Sequence, residues 1–173
     1  MTLEKRKLLA VIIVVSLATA LIASCRLNLG YVPSLSMFPT LQVGDFPIVR
    51  QDAYENGRVP QRGDIVVFMH DGERMCKRVV GLPGERVVVG LGNVLVAGVV
   101  LSEPYLNPST SRSKQPLEGV LLRDTYLLMG DNRGDSIDSR EFGPVVVSDI
   151  KGKVVGIVRH FRFIRVNSGQ EAK

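Results

Sequence analysis

Two serines stand two positions apart between prolines in "PSLSMFPTL", residues 33–41. A hydroxyl in such a stretch has two uses. Ser36 can satisfy a backbone group in a turn-rich lead-in to the first strand. It can also attack a carbonyl, but a free serine is a poor nucleophile near neutral pH and needs a base within hydrogen-bond reach. His70 and His160 are isolated and sit in no arrangement resembling a Ser/His/Asp triad, which leaves lysine as the base. A lysine serves when burial strips water from its ammonium, because desolvation lowers its pKa by up to roughly 3 to 5 units. Lys77 lies in "MCKRVVG", residues 75–81, where strand alternation sends Lys77 to one face and Arg78 to the other. An ordinary solvent-facing strand lysine fits the same pattern.

A third patch, "MGDNRGDSIDSREFGP" (129–144), carries four acidic residues, two arginines, two serines and three glycines after an apolar strand. It reads as a charged surface loop, or as an ion-pair and hydroxyl network that orients other groups. Its spacing does not match a calcium-binding loop. Two histidines and two cysteines, Cys25 and Cys76, show no metal-ligand spacing, and no metal or other cofactor is expected. Arithmetic allows one disulfide, but both cysteines are read as free.

The elements that must position these groups are mostly strands. Beyond residue 26 the chain consists of short valine-rich segments punctuated by Gly, Pro and Asp, the pattern of an all-β domain. Strands are expected at 46–50, 64–69, 75–81, 86–89, 94–101, 125–130 and 152–161. A "GLGN" hairpin turn, its glycines free to take positive φ, should join the fourth and fifth. Residues 103–120 read as a loop, and the tail 167–173 should fray. With 173 residues, 45% of them hydrophobic, the chain is long enough for one core and little more.

Before that domain, residues 8–24 hold no charge across seventeen positions and as a helix reach about 25 Å, close to a bilayer's apolar thickness. Lys5, Arg6 and Lys7 precede the stretch and only Arg26 follows closely, which predicts residues 1–7 in the cytoplasm and residues 25–166 outside it. A cleaved secretory signal is the alternative, as is acylation of Cys25 in "IASC". Each reading tethers the domain to a membrane. The net charge of +5 is concentrated in "KRK" (5–7) and "RHFRFIR" (159–165), and it suits anionic headgroups. No nucleic-acid-binding signature is present.

The ordered patches "PSLSMFPTL", "GDIVVF" (63–68), "KRVVGLPGE" (77–85) and "GDNRGDSIDSREFGP" (130–144) resemble those of the type I signal peptidases, membrane-bound Ser/Lys proteases. The resemblance implies a mainly β, folded-sheet or small-barrel domain with one N-terminal transmembrane helix. It implies cleavage of signal peptides from exported precursors after small residues of the Ala-X-Ala type, at the cell's inner membrane. In this correspondence Ser36 is the nucleophile and Lys77 the general base. Ser34, with the Ser36 backbone N–H, forms the oxyanion hole. Ser136 positions the lysine amine, and Asp138 and Arg140 brace it. Val32, Pro33, Met37, Leu41, Met75 and Cys76 fall near the implied substrate pockets, although core packing would explain each equally. Leu35 departs from the glycine common in bacterial members, a change read as one of loop shape. The chain lacks the second span and large inserted β domain of long members, leaving open a general or a specialised, pilin-type enzyme and the oligomeric state. A self-cleaving repressor-type protease and a non-catalytic tethered β domain that binds peptides are the rival readings.

Overall fold

A computed structural model of the protein describes residues 3–24, 26–107, 109 and 116–166. Cys25, the tail 167–173 and residues 108 and 110–115 of the expected loop lie outside the described residues, as do the side chains of residues 17–24. A helix, α1 (Leu3–Ser24), is followed by β1 (Leu27–Leu29), β2 (Phe46–Arg50), β3 (Ile65–His70), β4 (Glu73–Gly81), β5 (Arg86–Val89), β6 (Val94–Val96), β7 (Val99–Val100), β8 (Leu117–Val120) and β9 (Thr125–Met129). A single helical turn, α2 (Ser139–Phe142), then precedes β10 (Val145–Val146), β11 (Ile150–Arg159) and β12 (Arg162–Arg165).

The protein is mainly β. Along the described part of α1 the large apolar residues from Leu8 to Val15 are all solvent-exposed. Among the described residues, no helix is long and apolar enough to cross a membrane.

The larger sheet runs β1-β2-β11-β3-β4-β9-β10, with β12 paired to the end of β11, and all its pairings are antiparallel. Two register shifts, between Ile150 and Gly152 and between Val154 and Gly156, let β11 serve three partners. Such bulges bend a strand and increase its twist, so the first half of β11 meets β3 and the second half meets β12. Gly152 is required there, because a Cβ would strike the backbone carbonyl of Arg50 on β2, while the bare Gly156 lets the Phe163 ring lie across it.

A second sheet, ordered β7-β6-β5-β8, corrects two expectations. The segment 94–101 is not one strand: Ala97 and Gly98 both take positive φ, turning the chain back so that β6 pairs with β7. Part of the expected loop is β8, which pairs with β5 along its whole length. The 90–93 turn forms, with Gly90 N–H bonded to Asn93 O at 2.8 Å, but neither of its glycines has positive φ. Strands β1, β10 and β12 were not anticipated. They are short, and their described residues are mostly exposed, so no alternation marks them.

Three apolar clusters hold the sheets. One joins Met37 and Leu41 to Val32, Val49, Ile65, Val67, Val154 and Ile157 beneath the serine segment. A second ties the small sheet to the ends of β4 and β9 through Val80, Val87, Leu127 and Met129. The third packs Val66, Phe68, Val79 and Leu128 on the other side of β3, β4 and β9.

One polar contact crosses this framework. Arg78, 2% exposed, donates from Nε to Asp131 Oδ1 at 2.8 Å and from Nη2 to Asp131 Oδ2 at 2.7 Å, while Nη1 reaches Gly63 O at 2.8 Å. Thr40 Oγ1 donates to Asp131 Oδ2 at 2.5 Å, and the Tyr105 ring lies against the guanidinium at 3.9 Å. The serine segment, β4 and the loop after β9 are thereby pinned at one point. Removing one partner of a buried ion pair leaves an uncompensated charge, which typically costs about 3 to 5 kcal/mol. Asp131→Ala should lose stability of that order in denaturant unfolding followed by far-UV circular dichroism, and an Arg78→Met/Asp131→Leu pair should recover part of it. A single-variant loss below about 1 kcal/mol would contradict the clamp.

Candidate active site

Ser36 sits in the turn between β1 and β2. Met37 and Leu41 on either side of the following turn are 2% and 0% exposed, and Leu41 N–H closes on Met37 O at 2.9 Å. Burying those two residues leaves the half-buried Ser36 facing outward from the core. The loop after β9 fixes its backbone: Asn132 N–H donates to Ser36 O at 3.1 Å and Asn132 Nδ2 to Leu35 O at 3.2 Å. Among the described residues, the Ser36 N–H has no acceptor.

Lys77 lies on β4 opposite Val66, with Nζ 2.8 Å from Ser36 Oγ. It is 3% exposed, so the solvent-facing alternative is not the one realised. Burial lowers its pKa, opposed by the Asp138 carboxylate and helped by the Arg140 guanidinium. At this separation a protonated amine donates to the hydroxyl, whereas a neutral amine can take the hydroxyl's proton. Ser34 Oγ is 3.4 Å from Ser36 Oγ on the exposed side.

The patch 129–144 is part buried network and part solvated loop: Asp131, Arg133, Asp138 and Ser139 are buried, while Asp135, Ile137 and Glu141 are exposed. Asp138, fully buried, accepts from Arg140 Nε and Nη2, each at 2.7 Å, and from Gly130 N–H at 2.9 Å. Burial alone would raise the Asp138 pKa, but the Arg140 bonds and charge outweigh it and hold the carboxyl below its usual range. Arg140 also donates to Arg133 O at 2.7 Å and Ser136 O at 3.3 Å, so one guanidinium gathers the loop's carbonyls. Ser136 Oγ is buried close to Asp138 without hydrogen-bond geometry to any described residue. The resemblance puts a bond between Ser136 and the lysine amine; here the two line one cleft without that bond.

Two hollows meet at the Ser36–Lys77 contact. The first, about 370 Å³, is lined by all six residues expected near the substrate pockets, Val32, Pro33, Met37, Leu41, Met75 and Cys76, together with Ser34, Ser36 and Lys77. Cys76 is the free thiol among the described residues, and burial pushes its pKa up to about 12, keeping it protonated and apolar in character. The second hollow, about 400 Å³, shares Ser34, Ser36, Met75 and Lys77 with the first and continues over Ser136, Ile137 and Glu141.

Sequence reasoning missed several members of this site. Thr40, Arg78 and Asp131 form the clamp. A buried arginine beside the lysine had a signal, since strand alternation inside an apolar segment forces at least one of two adjacent cations inward. Gly130 had a weaker one: a Cβ there would collide with Ser136 Oγ and Ser36 O, so only glycine lets the loop approach the serine. Tyr31, Pro47, Val49 and Val67 also line the first hollow, with Glu73, Arg74 and Lys151 among its charged residues, and they come from separate segments of the chain. The histidines stay apart from the site. His70 stacks on Phe142 with ring centroids 4.0 Å apart, and His160 occupies the β11–β12 turn.

The sequence model of the family described as signal peptidase, peptidase S26, matches residues 5–159. A probable signal peptidase I-2 of Synechocystis is 37% identical over 161 residues, covering 87% of this chain and 69% of its own. Signal peptidase I of Leptolyngbya laminosa is 39% identical over 135 residues, 72% of this chain and 65% of that protein. Signal peptidase I of Bacillus caldolyticus is 38% identical, with coverage of 69% and 72%. The crystal structure of a signal peptidase I from Enterococcus faecalis is 32% identical, covering 56% of this chain and 97% of its own at a TM-score of 0.49. With a family match running from α1 to the end of β11 and a serine, a buried lysine and a bracing loop meeting at one point, the chain belongs to the signal peptidase family, peptidase S26, a family of peptide-bond hydrolases.

Proposed function

We propose that this chain is a membrane-anchored serine endopeptidase that removes signal peptides from exported precursors with a Ser36–Lys77 dyad. The observation that carries the reading is a lysine amine 2.8 Å from a serine hydroxyl at a site where that lysine is 3% exposed. Neutral Lys77 takes the proton of Ser36 as Oγ attacks the scissile carbonyl, then returns it to the departing amine. The Ser36 N–H and the Ser34 hydroxyl stabilise the charge on the carbonyl oxygen, and the loss of one such donor typically costs about 2.7 to 4 kcal/mol of barrier lowering. Ser136, whose buried hydroxyl is uncommitted, orients the amine, while the Asp138–Arg140 pair holds the loop that carries it. Residues before the cut enter the first hollow as an added strand, small side chains turned toward Val32, Met37 and Met75.

The membrane tie rests on two features. The part of α1 whose side chains are described is too short to cross by itself, but the uncharged run 8–24 lies wholly within the helix, and on its sequence we assign it to the span, with residues 1–7 cytoplasmic. At the opposite end of the chain, Phe161 at the β11–β12 turn is fully exposed, Phe163 is 64% exposed, and Arg162 and Arg165 flank them. Phe163 and Phe46 both stand opposite Val158, and Phe46 packs on Tyr31 with ring centroids 5.7 Å apart. Tyr31 also lines the first hollow. An aromatic and cationic surface therefore runs from the pocket to the hairpin tip, suited to the headgroup region.

Incubated with a secretory precursor, the full chain in detergent should cut once after the signal peptide. Ser36→Ala and Lys77→Ala should each lower kcat/KM by roughly ten-thousandfold; cleavage by Ser36→Ala near the parent rate would reject the mechanism.

Since only the neutral amine is a base, the rate should rise with pH through a midpoint below 10.5, the ordinary lysine value. A profile rising only above 10.5 would contradict a desolvated Lys77. The same shift has a stability consequence of known sign. The folded-state pKa is depressed, so between it and 10.5 the unfolded chain binds more protons, and stability rises with pH across that window. Lys77→Met should therefore raise the thermal midpoint at neutral pH while abolishing cleavage, and a lowered midpoint would count against the burial cost.

A further inference from the structure

The second hollow has no role in the reaction as described so far. It abuts the first at Ser36 and Lys77, so an extended peptide that fills the first and presents a carbonyl to Ser36 Oγ leaves through the second. Its charges are arranged asymmetrically. Both guanidiniums in its wall are committed elsewhere: Arg133 is buried against Glu103, and Arg140 is locked to Asp138. The carboxylates of Asp135 and Glu141 are exposed, and among the described residues neither side chain has a hydrogen-bond or ion-pair partner. With its cations neutralised and Lys77 uncharged in the active form, the cleft presents negative charge to whatever crosses it.

Resting on the peptidase reading, we propose that this cleft receives the residues that follow the scissile bond, and that Asp135 and Glu141 make it select against acidic residues there. The apolar side chains of the first hollow beside the dyad, Val32, Met37 and Met75, read side-chain size; the two exposed carboxylates of the second read charge. Precursors whose mature region begins with basic or uncharged residues are the favoured class. The effect belongs to the segment beyond the cut because Asp135 and Glu141 line the second hollow and not the first.

The test uses the full chain in detergent and two peptide substrates identical through the cut and the residue after it. They differ only at the second and third residues beyond the cut, which are lysines in one and aspartates in the other. The lysine substrate should show a kcat/KM about three- to tenfold higher at low salt, the range expected for two exposed charge interactions. The ratio should fall toward one in Asp135→Asn/Glu141→Gln, and also in the parent at about 0.5 M salt, where the screening length is only a few ångströms. Moving the lysine and aspartate pairs to positions before the cut should remove the dependence on those two residues. Equal rates for the two substrates, or a ratio that persists in the double variant, would overturn the proposal. If neither substrate is cut, the peptidase reading fails and takes the proposal with it.

Discussion

In the proposed mechanism Lys77 acts as a base, and the arrangement of this domain serves that role chiefly by keeping water from its amine, since burial is the largest influence lowering its pKa. Lys77 is held on a strand flanked by β3 and β9, with apolar clusters on both sides. Burying a lysine costs stability, because the charged form loses its hydration. The surrounding valines, leucines and methionines must supply more than that cost, and the predominance of fully buried apolar side chains around β3, β4 and β9 is consistent with it.

Desolvation alone does not set the amine's behaviour, since the loop that approaches it carries charge. The Asp138 carboxylate raises the lysine pKa, which would return the amine to its protonated form, and the Arg140 guanidinium lowers it. The two sit in bidentate contact, so their fields at Lys77 oppose each other and burial is left as the largest influence. The second buried pair, Arg78 with Asp131, works on position. It joins β4, at the residue next to Lys77, to the residue after Gly130 and, through Thr40, to the turn that holds Ser36. Bidentate arginine contacts resist both sliding and rotation, which a single hydrogen bond would allow.

The hollows and the aromatic surface share this geometry. The row from Tyr31 through Phe46 to Phe163 follows the pairing of β2, β11 and β12: β3 pairs only with the first part of β11, and β12 pairs with the part beyond it. In the proposed function, the surface that meets the bilayer and the pocket that meets the peptide are joined through Tyr31, which packs on Phe46 and lines the first hollow.

Strand type was legible wherever valine alternation or a continuous apolar run stood between turn residues: 46–50 and 86–89 were read to the residue, and β3, β4, β9 and β11 within a few. The break at Ala97–Gly98 was not, because an alanine at positive φ carries no local mark, and β8 was not, because "LEGV" gains its strand character only from lying beside β5. Residue types able to do chemistry were also visible in the chain: a serine between prolines, a lysine in an apolar strand and a dense polar loop. Their roles were not visible, since local pattern admitted a turn serine and a solvent-facing lysine equally well, and it was the resemblance that selected them. What the sequence by itself determined was the periodicity that makes strands and the inventory of reactive groups. Only the tertiary structure decided that the hydroxyl of residue 36 and the amine of residue 77, forty-one positions apart, lie 2.8 Å from each other. It also decided that Arg78, the residue next to that lysine, turns to Asp131. Both outcomes depend on how sheets pack and on which charges can be paired in the dry interior, and neither condition is encoded within reach of a local window.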